Sequence, residues 1–125
     1  MNDCIFCKIV NGEIPSKKIY EDESVIVILD LHPVCDGHSL IIPKKHITDM
    51  MDMDDETLSK IWEVAQKLTP ILMDKMNASG SSLRVNYGDS QEIKHFHMHL
   101  LRNYQYKKPT LTQEEASEIL KDACK

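Results

Sequence analysis

The chain has 125 residues, of which 42% are hydrophobic and 28% are charged, and its net charge is −5. This length and composition are typical of one domain that buries its own core, so we expect a single domain over residues 1–125. The acidic balance argues against an extended nucleic-acid surface, and no apolar run is long enough to span a membrane. Because no secretory signal opens the sequence, we expect a cytoplasmic protein.

Apolar periodicity and turn residues predict a short helix, three strands, a long helix, two strands and a last helix. The short helix runs from Cys4 to about Val10, and the next three strands span 18–20, 24–31 and 38–43. The long helix begins after Asp54 or Asp55, and Pro70 inside its apolar pattern should kink it or end it early. Strands at 82–87 and 94–101 precede a final amphipathic helix at about 112–124. Short connections between consecutive strands favour an antiparallel α+β sheet.

Three of the six histidines alternate with apolar residues between His95 and Leu100. Strict alternation is typical of a half-buried strand, in which successive side chains point to opposite faces. The three imidazoles should therefore share one face at a spacing of roughly 6.5 Å, while Phe96 and Met98 enter the core. The imidazole face must then meet water, a metal or a substrate.

Cys4 and Cys7 form a Cys-x-x-Cys pair. In a reducing compartment such a pair is typical of a metal site or a redox site. Two buried small residues at helical spacing are the third interpretation. A redox motif normally follows a strand and begins a longer helix, and this context is absent here.

The stretch from His95 to Leu101 resembles the signature of the histidine triad (HIT) family, in which three histidines alternate with apolar residues. Further landmarks agree in order and spacing, namely Cys4–Ile9, Gly12–Pro15, Tyr20–Asp22, Leu29–Asp30, Gly37–His38, Pro43–His46 and Asn86. The resemblance covers about residues 4–102 and points to the histidine triad nucleotide-binding branch. It implies a five-stranded antiparallel sheet with helices packed on it, and a two-fold homodimer formed through the long helix and a strand.

The resemblance also implies an activity. Members of this branch bind purine nucleotides and cleave at the α-phosphorus, typically of nucleoside phosphoramidates or related mixed anhydrides. The middle histidine, here His97, is the nucleophile and forms a covalent nucleotidyl-histidine, while His99 and His38 assist at the phosphate and the leaving group. A neutral imidazole is a competent nucleophile near neutral pH. The residues implied at the nucleotide are Asp30 at the ribose, Asn86 on the phosphate side, Gln91 in the loop before the triad, and Ile5, Phe6, Ile9 and Leu31 at the base.

The sequence also resembles some bacterial members of this branch that bind zinc with a cysteine pair and two histidines. The matching positions are Cys4, Cys7, His46 and His95. Two thiolates and two imidazoles make a closed tetrahedral site, so the implied zinc is structural and has no open position for a reacting water. No organic cofactor is implied.

The loop before the triad departs from the family pattern. Ser90 stands where glycine is usual, and Glu92 stands where a hydroxyl residue is usual. A carboxylate beside a phosphate is repulsive, so the catalytic rate and the choice of substrate depend on where Glu92 points. Two other functions stay open, a nucleotide-binding scaffold without turnover and a metallohydrolase that holds zinc on His95, His97 and His99.

Overall fold

The helices and strands follow the expected order. The computed structural model describes residues 4–102 and 111–124. Its helices and strands are α1 (Ile5–Val10), β1 (Lys18–Glu21), β2 (Val25–Leu29), β3 (Ser39–Pro43), α2 (Asp55–Lys75), β4 (Ser81–Val85), β5 (Met98–Arg102) and α3 (Gln113–Ala123). The α+β class with a five-stranded antiparallel sheet is therefore confirmed. Among the described residues, no helix has both the length and the hydropathy that a membrane span requires.

The sheet has the strand order β1-β2-β3-β5-β4, and every neighbouring pair is antiparallel. Both β2 and β3 are buried along their whole length, because each face of the sheet is covered. On one face, Val25 and Val27 pack with α2 and α3 in the main core. On the other face, Ile26 and Ile28 pack with Phe6 of α1. The continuous apolar run of β2 reflects this double burial.

Side-chain caps fix the starts of the helices. The Asp54 carboxylate accepts a hydrogen bond from the backbone N–H of Thr57 and begins α2. Thr112 begins α3 with a reciprocal capping box that includes Glu115. At α1 the cap is Cys4, whose sulfur accepts from the Cys7 backbone N–H at 3.4 Å. The sequence favours Asp3 as that cap, but Asp3 lies outside the described residues.

α2 continues to Lys75 with Pro70 inside it, so the prediction that Pro70 ends the long helix early is wrong. Pro70 and Gln66, whose carbonyl loses its usual N–H partner, are both exposed, so water can replace the missing bond. Leu68 and Leu72 are buried on either side of the proline. Burial of this apolar face keeps the last turn helical despite the proline.

The strand predicted at 94–101 is shorter in the structure, because residues 93–95 form a bend and β5 begins only at Met98. The register pairs Ile41 with Met98, so continued pairing would bring Pro43 opposite Phe96. Proline has no N–H to donate, and the ladder stops there. The Phe96 N–H donates instead to the carbonyl of Ile47 at 2.6 Å. The expected burial of Phe96, Met98 and Leu100 in the core is confirmed.

Gly37, which lies in the β2–β3 loop, offers a test of the packing of this loop against α2. Its φ is +78°, and a Cβ built on it would lie 2.7 Å from Leu72 Cδ1 and 2.8 Å from Met76 Cγ. Gly12 has a similar φ of +81° but no atom within 4 Å of such a Cβ. We expect Gly37→Ala to lower the free energy of unfolding by about 2–4 kcal/mol, and Gly12→Ala by about 1–2 kcal/mol, because only the first adds overpacking to backbone strain.

Denaturant unfolding of the two variants and the wild type measures this difference. Equal losses in the two variants would contradict close packing of Gly37 against α2.

Candidate functional site

A cavity of about 680 Å³ opens beside α1, the end of β2 and the connection between β4 and β5. The apolar part of its wall comes from α1 together with residues of β2, β3 and the loops, and the polar part comes mainly from strand ends and loops. Of the residues predicted to form the site, those that line this cavity are Ile5, Phe6, Ile9, Asp30, Leu31, His38, Asn86, His97 and His99. Side chains from five separate stretches of the chain are thus brought to one place.

His97 is held in a defined tautomer. Its Nδ1–H donates to the backbone carbonyl of His95 at 2.9 Å. A neutral imidazole carries one proton, so the lone pair of His97 is on Nε2. The ring is 9% exposed and packs edge-on against Phe6 at a centroid distance of 5.0 Å. This arrangement presents an unprotonated nitrogen at the cavity, as nucleophilic attack requires.

His38 and His99 form a directed pair. The backbone N–H of Val34 donates to His38 Nδ1 at 3.2 Å, so neutral His38 carries its proton on Nε2. His38 Nε2 lies 2.9 Å from His99 Nδ1 and donates to it. His99 then carries its own proton on Nε2, which lies 3.4 Å from the amide nitrogen of Asn86, and it can donate to Asn86 only when that amide is turned so that its oxygen accepts. The pair can pass a proton towards the cavity.

Asp30 stands at the end of β2 next to this pair. One carboxylate oxygen accepts from the backbone N–H of His32 at 2.8 Å, and the other lies 3.5 Å from His38 Nε2. The backbone carbonyl of Asp30 accepts a hydrogen bond from the side chain of Gln113, and Gln113 is the first residue of α3. The C-terminal helix therefore holds the backbone of a predicted site residue, a contact that the sequence does not indicate.

Gln91 does not line the cavity. Its side chain is buried and donates to the carbonyls of Thr48 at 2.7 Å and Ile93 at 3.0 Å. These bonds fasten the β4–β5 connection to the segment after β3, so the side chain of Gln91 supports the loop instead of facing the ligand.

Four further charged or titratable residues line the cavity. Arg84 and Asn86 are two residues apart, so the alternation of strand faces carries Arg84 to the same side as Asn86. That period was available in the sequence, yet Arg84 is missing from the predicted site. Lys17, His32 and Glu92 come from loops or strand ends, where no periodicity indicates a direction. Lys17 is paired with Glu114 of α3 at 2.6 Å.

A second cluster gathers Cys4, Cys7, His46 and His95, with one donor atom from each residue within 4.8 Å of the others. Nδ1 of His95 lies 3.3 Å from the Cys4 sulfur and 3.5 Å from the Cys7 sulfur, and His46 Nδ1 lies 3.1 Å from the latter. Sulfur and nitrogen ligands on tetrahedral zinc are separated by about 3.6 Å, from bonds of about 2.3 and 2.1 Å. The donor set and its spacing therefore fit zinc.

The tautomer of His95 also suits a zinc ion. Its Nε2–H donates to the backbone carbonyl of Pro43 at 2.8 Å, which leaves the Nδ1 lone pair for the cluster. The ring is fully buried. The three triad histidines thus serve two clusters, because His95 faces the thiols while His97 and His99 face the cavity.

Comparison with known proteins agrees with this geometry. The model of the HIT domain family matches residues 11–106. The chain is 40% identical over 104 residues to the adenosine 5'-monophosphoramidase of Candida albicans, covering 78% of this chain and 68% of that protein. A zinc-bound histidine triad family protein from Mycobacterium smegmatis superposes with a TM-score of 0.89 at 32% identity, covering 98% of this chain and 93% of the other. A hypothetical histidine triad nucleotide-binding protein from Sulfolobus tokodaii superposes with a TM-score of 0.86 at 31% identity, covering 97% and 91%.

Burial keeps the cavity histidines neutral. It lowers the pKa of His97 and of His38, although the carboxylate of Asp30 opposes the shift at both. The pKa of His99 falls to about 4, because its burial is reinforced by the neighbouring rings of His97 and His38. An imidazole that stays neutral below its usual range keeps its lone pair available.

This burial predicts a pH dependence of stability. Between pH 6.5 and about 4, unfolded His99 takes up a proton that folded His99 does not, so the free energy of unfolding should decrease as the pH falls through that range. The variant His99→Asn should lose part of this decrease. Denaturant unfolding at several pH values measures how the free energy of unfolding of each protein changes with pH. The difference in that free energy between the wild type and the variant above pH 6.5 is the reference. An unchanged slope in the variant would contradict the assignment.

Proposed function

Because the chain belongs to the histidine triad (HIT) family, we propose that it is a hydrolase of purine nucleoside phosphoramidates or related mixed anhydrides. Cleavage occurs at the α-phosphorus through a covalent intermediate on His97. The observation that carries this proposal is the hydrogen bond from His97 Nδ1–H to the His95 carbonyl, which leaves Nε2 unprotonated in a residue that lines the cavity.

The walls of the cavity suit a nucleoside monophosphate. Phe6 and Ile9 offer apolar surface for a purine base, together with Ile5 and Leu31. Leu31 is 74% exposed, as expected for a residue that a ligand covers. The Asp30 carboxylate keeps acceptor capacity beyond its bond to His32 N–H, so it can receive the ribose hydroxyls.

In the first step, His97 Nε2 attacks the α-phosphorus and forms a P–N bond. The bond from phosphorus to the leaving nitrogen breaks, and its electron pair stays on that nitrogen. His99 Nε2, which His38 orients through Nδ1, supplies a proton to the leaving nitrogen and takes one back from water in the second step. The backbone carbonyl of His95 stabilises the positive charge that develops on the His97 ring.

In the second step, a water oxygen attacks phosphorus and the bond to His97 Nε2 breaks, returning the electron pair to the imidazole. The water proton passes to His99 Nε2 and replaces the proton that this residue gave to the leaving group. The products are the nucleoside monophosphate and the amine, with one water consumed. Dividing one displacement into two through a histidine intermediate lowers each barrier.

A metallohydrolase built on the triad is less well supported. His95 is directed to Cys4 and Cys7 and not to the same point as His97 and His99. Asp30, His38 and His99 do converge, but the Val34 N–H occupies His38 Nδ1 and leaves the proton of neutral His38 on Nε2. That nitrogen therefore has no lone pair for a metal.

We further propose that Cys4, Cys7, His46 and His95 hold a structural zinc ion, which would join α1 to the segment after β3. Through Phe6, which packs against both His95 and His97, α1 contacts the catalytic residue as well as the metal cluster. The ion would supply no reacting water, since four protein donors close the site.

We also propose the two-fold homodimer that the resemblance implies. Leu58 and Trp62 lie exposed on α2, and β4 is an edge strand of the described sheet with Leu83 exposed. An unpaired edge strand and exposed apolar side chains of this kind are typical of a surface that pairs with another chain.

A single-turnover reaction tests the nucleophile. With an AMP phosphoramidate labelled on the adenosine, the wild type should carry label on His97, whereas His97→Asn should bind the nucleotide and lose at least about 10³-fold in kcat/KM because no covalent intermediate forms. His32→Asn removes another imidazole from the same cavity and should keep the label. Nucleotide binding by the wild type without label or turnover would favour the scaffold function.

Metal content and stability test the zinc proposal. Cys4→Ser should purify with far less zinc than the wild type, and a chelator should lower the melting temperature of the wild type but change that of the variant little, because ion binding is coupled to folding. Cys124→Ser alters a buried cysteine of α3's C-terminal end and should keep its zinc. Undiminished zinc in Cys4→Ser, measured by elemental analysis, would refute the assigned ligands.

A further inference from the structure

Glu92 places an uncompensated carboxylate at the cavity. It lines the same space as His97, His99 and Asn86, and it is exposed. Within residues 4–102 and 111–124, it takes part in no ion pair and no hydrogen bond. The nearest lysine in sequence, Lys94, donates instead to the carbonyls of Gly88 at 2.9 Å and Gln91 at 2.8 Å.

The loop that carries Glu92 is held in place. Lys94 links its two ends, and the buried side chain of Gln91 fastens it to Thr48. Gln91 immediately precedes Glu92, so the backbone that positions the carboxylate is fixed on one side by these bonds. The loop therefore holds the Glu92 backbone beside the cavity.

Other residues of the cavity suit the base, the ribose and the phosphorus of the proposed substrate, so one part of the substrate remains for Glu92. The apolar wall of α1 suits the base, Asp30 suits the ribose, and His97 faces the phosphorus. Glu92 comes from the β4–β5 connection, which adds the neighbouring Ile93 to the apolar wall, whereas the proposed ribose contact comes from Asp30 after β2. The substituent on phosphorus that departs is the remaining group that can meet it.

Resting on the proposed function, we propose that Glu92 selects the leaving group, favouring nucleoside phosphoramidates whose departing amine carries a second positive charge. A carboxylate or phosphate leaving group would add its negative charge to that of the α-phosphate and be repelled by Glu92. A second ammonium on the leaving amine is attracted instead. When the P–N bond breaks, the departing nitrogen keeps the electron pair and takes the proton from His99, while the second ammonium stays paired with Glu92 until release.

Three AMP amidates with leaving amines of similar length test this selection, namely those of diaminobutane, butylamine and aminobutyrate. The wild type should cleave the diaminobutane amidate with a kcat/KM roughly fivefold above that of the aminobutyrate amidate, the ratio expected for charges about 7–10 Å apart in water. Glu92→Gln should bring the ratio close to one, and Glu92→Lys should invert it. Each variant's rate on the butylamine amidate serves as its internal reference.

Two controls separate this role from general effects. Glu23→Gln removes an exposed carboxylate that does not line the cavity, and it should keep the wild-type ratio. The wild-type ratio should also shrink in about 1 M salt, where the Debye length is about 3 Å.

Equal kcat/KM for the three amidates in the wild type, or a ratio unchanged by Glu92→Gln and Glu92→Lys, would overturn the role of Glu92 while leaving hydrolysis through His97 intact. Failure of the proposed function itself would be seen differently, as the absence of cleavage and of label on His97 with all three amidates.

Discussion

The buried side chain of His95 and its backbone carbonyl connect the cysteine–histidine cluster to the cavity that His97 lines. Its Nδ1 faces the thiols of Cys4 and Cys7, its Nε2–H is bound to the Pro43 carbonyl, and its own carbonyl receives His97 Nδ1–H. Each of these bonds uses a different atom of one residue, so together they fix its position and its tautomer. The tautomer of His97, and with it the unprotonated Nε2 on which the proposed attack depends, is defined only while that carbonyl keeps its position.

Pro43 has a structural role in this arrangement. As the last residue of β3, it ends the ladder with β5 because it has no N–H, and its carbonyl is then available to the His95 ring. The chain between Gln91 and His97 consequently leaves the regular sheet and is held by side chains and by the bond from Phe96 N–H to Ile47. An interrupted strand is what allows neighbouring histidines to serve two different clusters.

The electrostatics of the cavity combine burial with a few placed charges. Burial lowers the pKa of His38, His97 and His99, and the nearby Asp30 carboxylate limits the shift at each. Neutral imidazoles suit nucleophilic attack and directed proton transfer, while the cost is a fold that becomes less stable as the pH falls. The Glu92 carboxylate would repel a phosphate, so we propose that it interacts with a positively charged leaving group instead.

Much of this protein follows from its sequence. Alternation of histidines with Phe96, Met98 and Leu100 determined which side of the chain enters the core, because a strand alternates its faces regardless of what it packs on. The spacing of Cys4 and Cys7 indicated a metal or redox site, and the family resemblance added His46 and His95, which the structure brings to the two cysteines. The amphipathic period predicted α3.

Only the tertiary structure decided how those residues are divided and oriented. Local sequence cannot specify that α2 continues past Pro70, since burial of Leu68 and Leu72 against the sheet decides it. Nor can it specify that Gln91 turns towards Thr48, that Gln113 holds Asp30, or that His95 faces away from His97 and His99. Each of these depends on a partner more than 25 residues distant or on the end of a neighbouring strand, and a pattern of adjacent residues carries no information about such a partner.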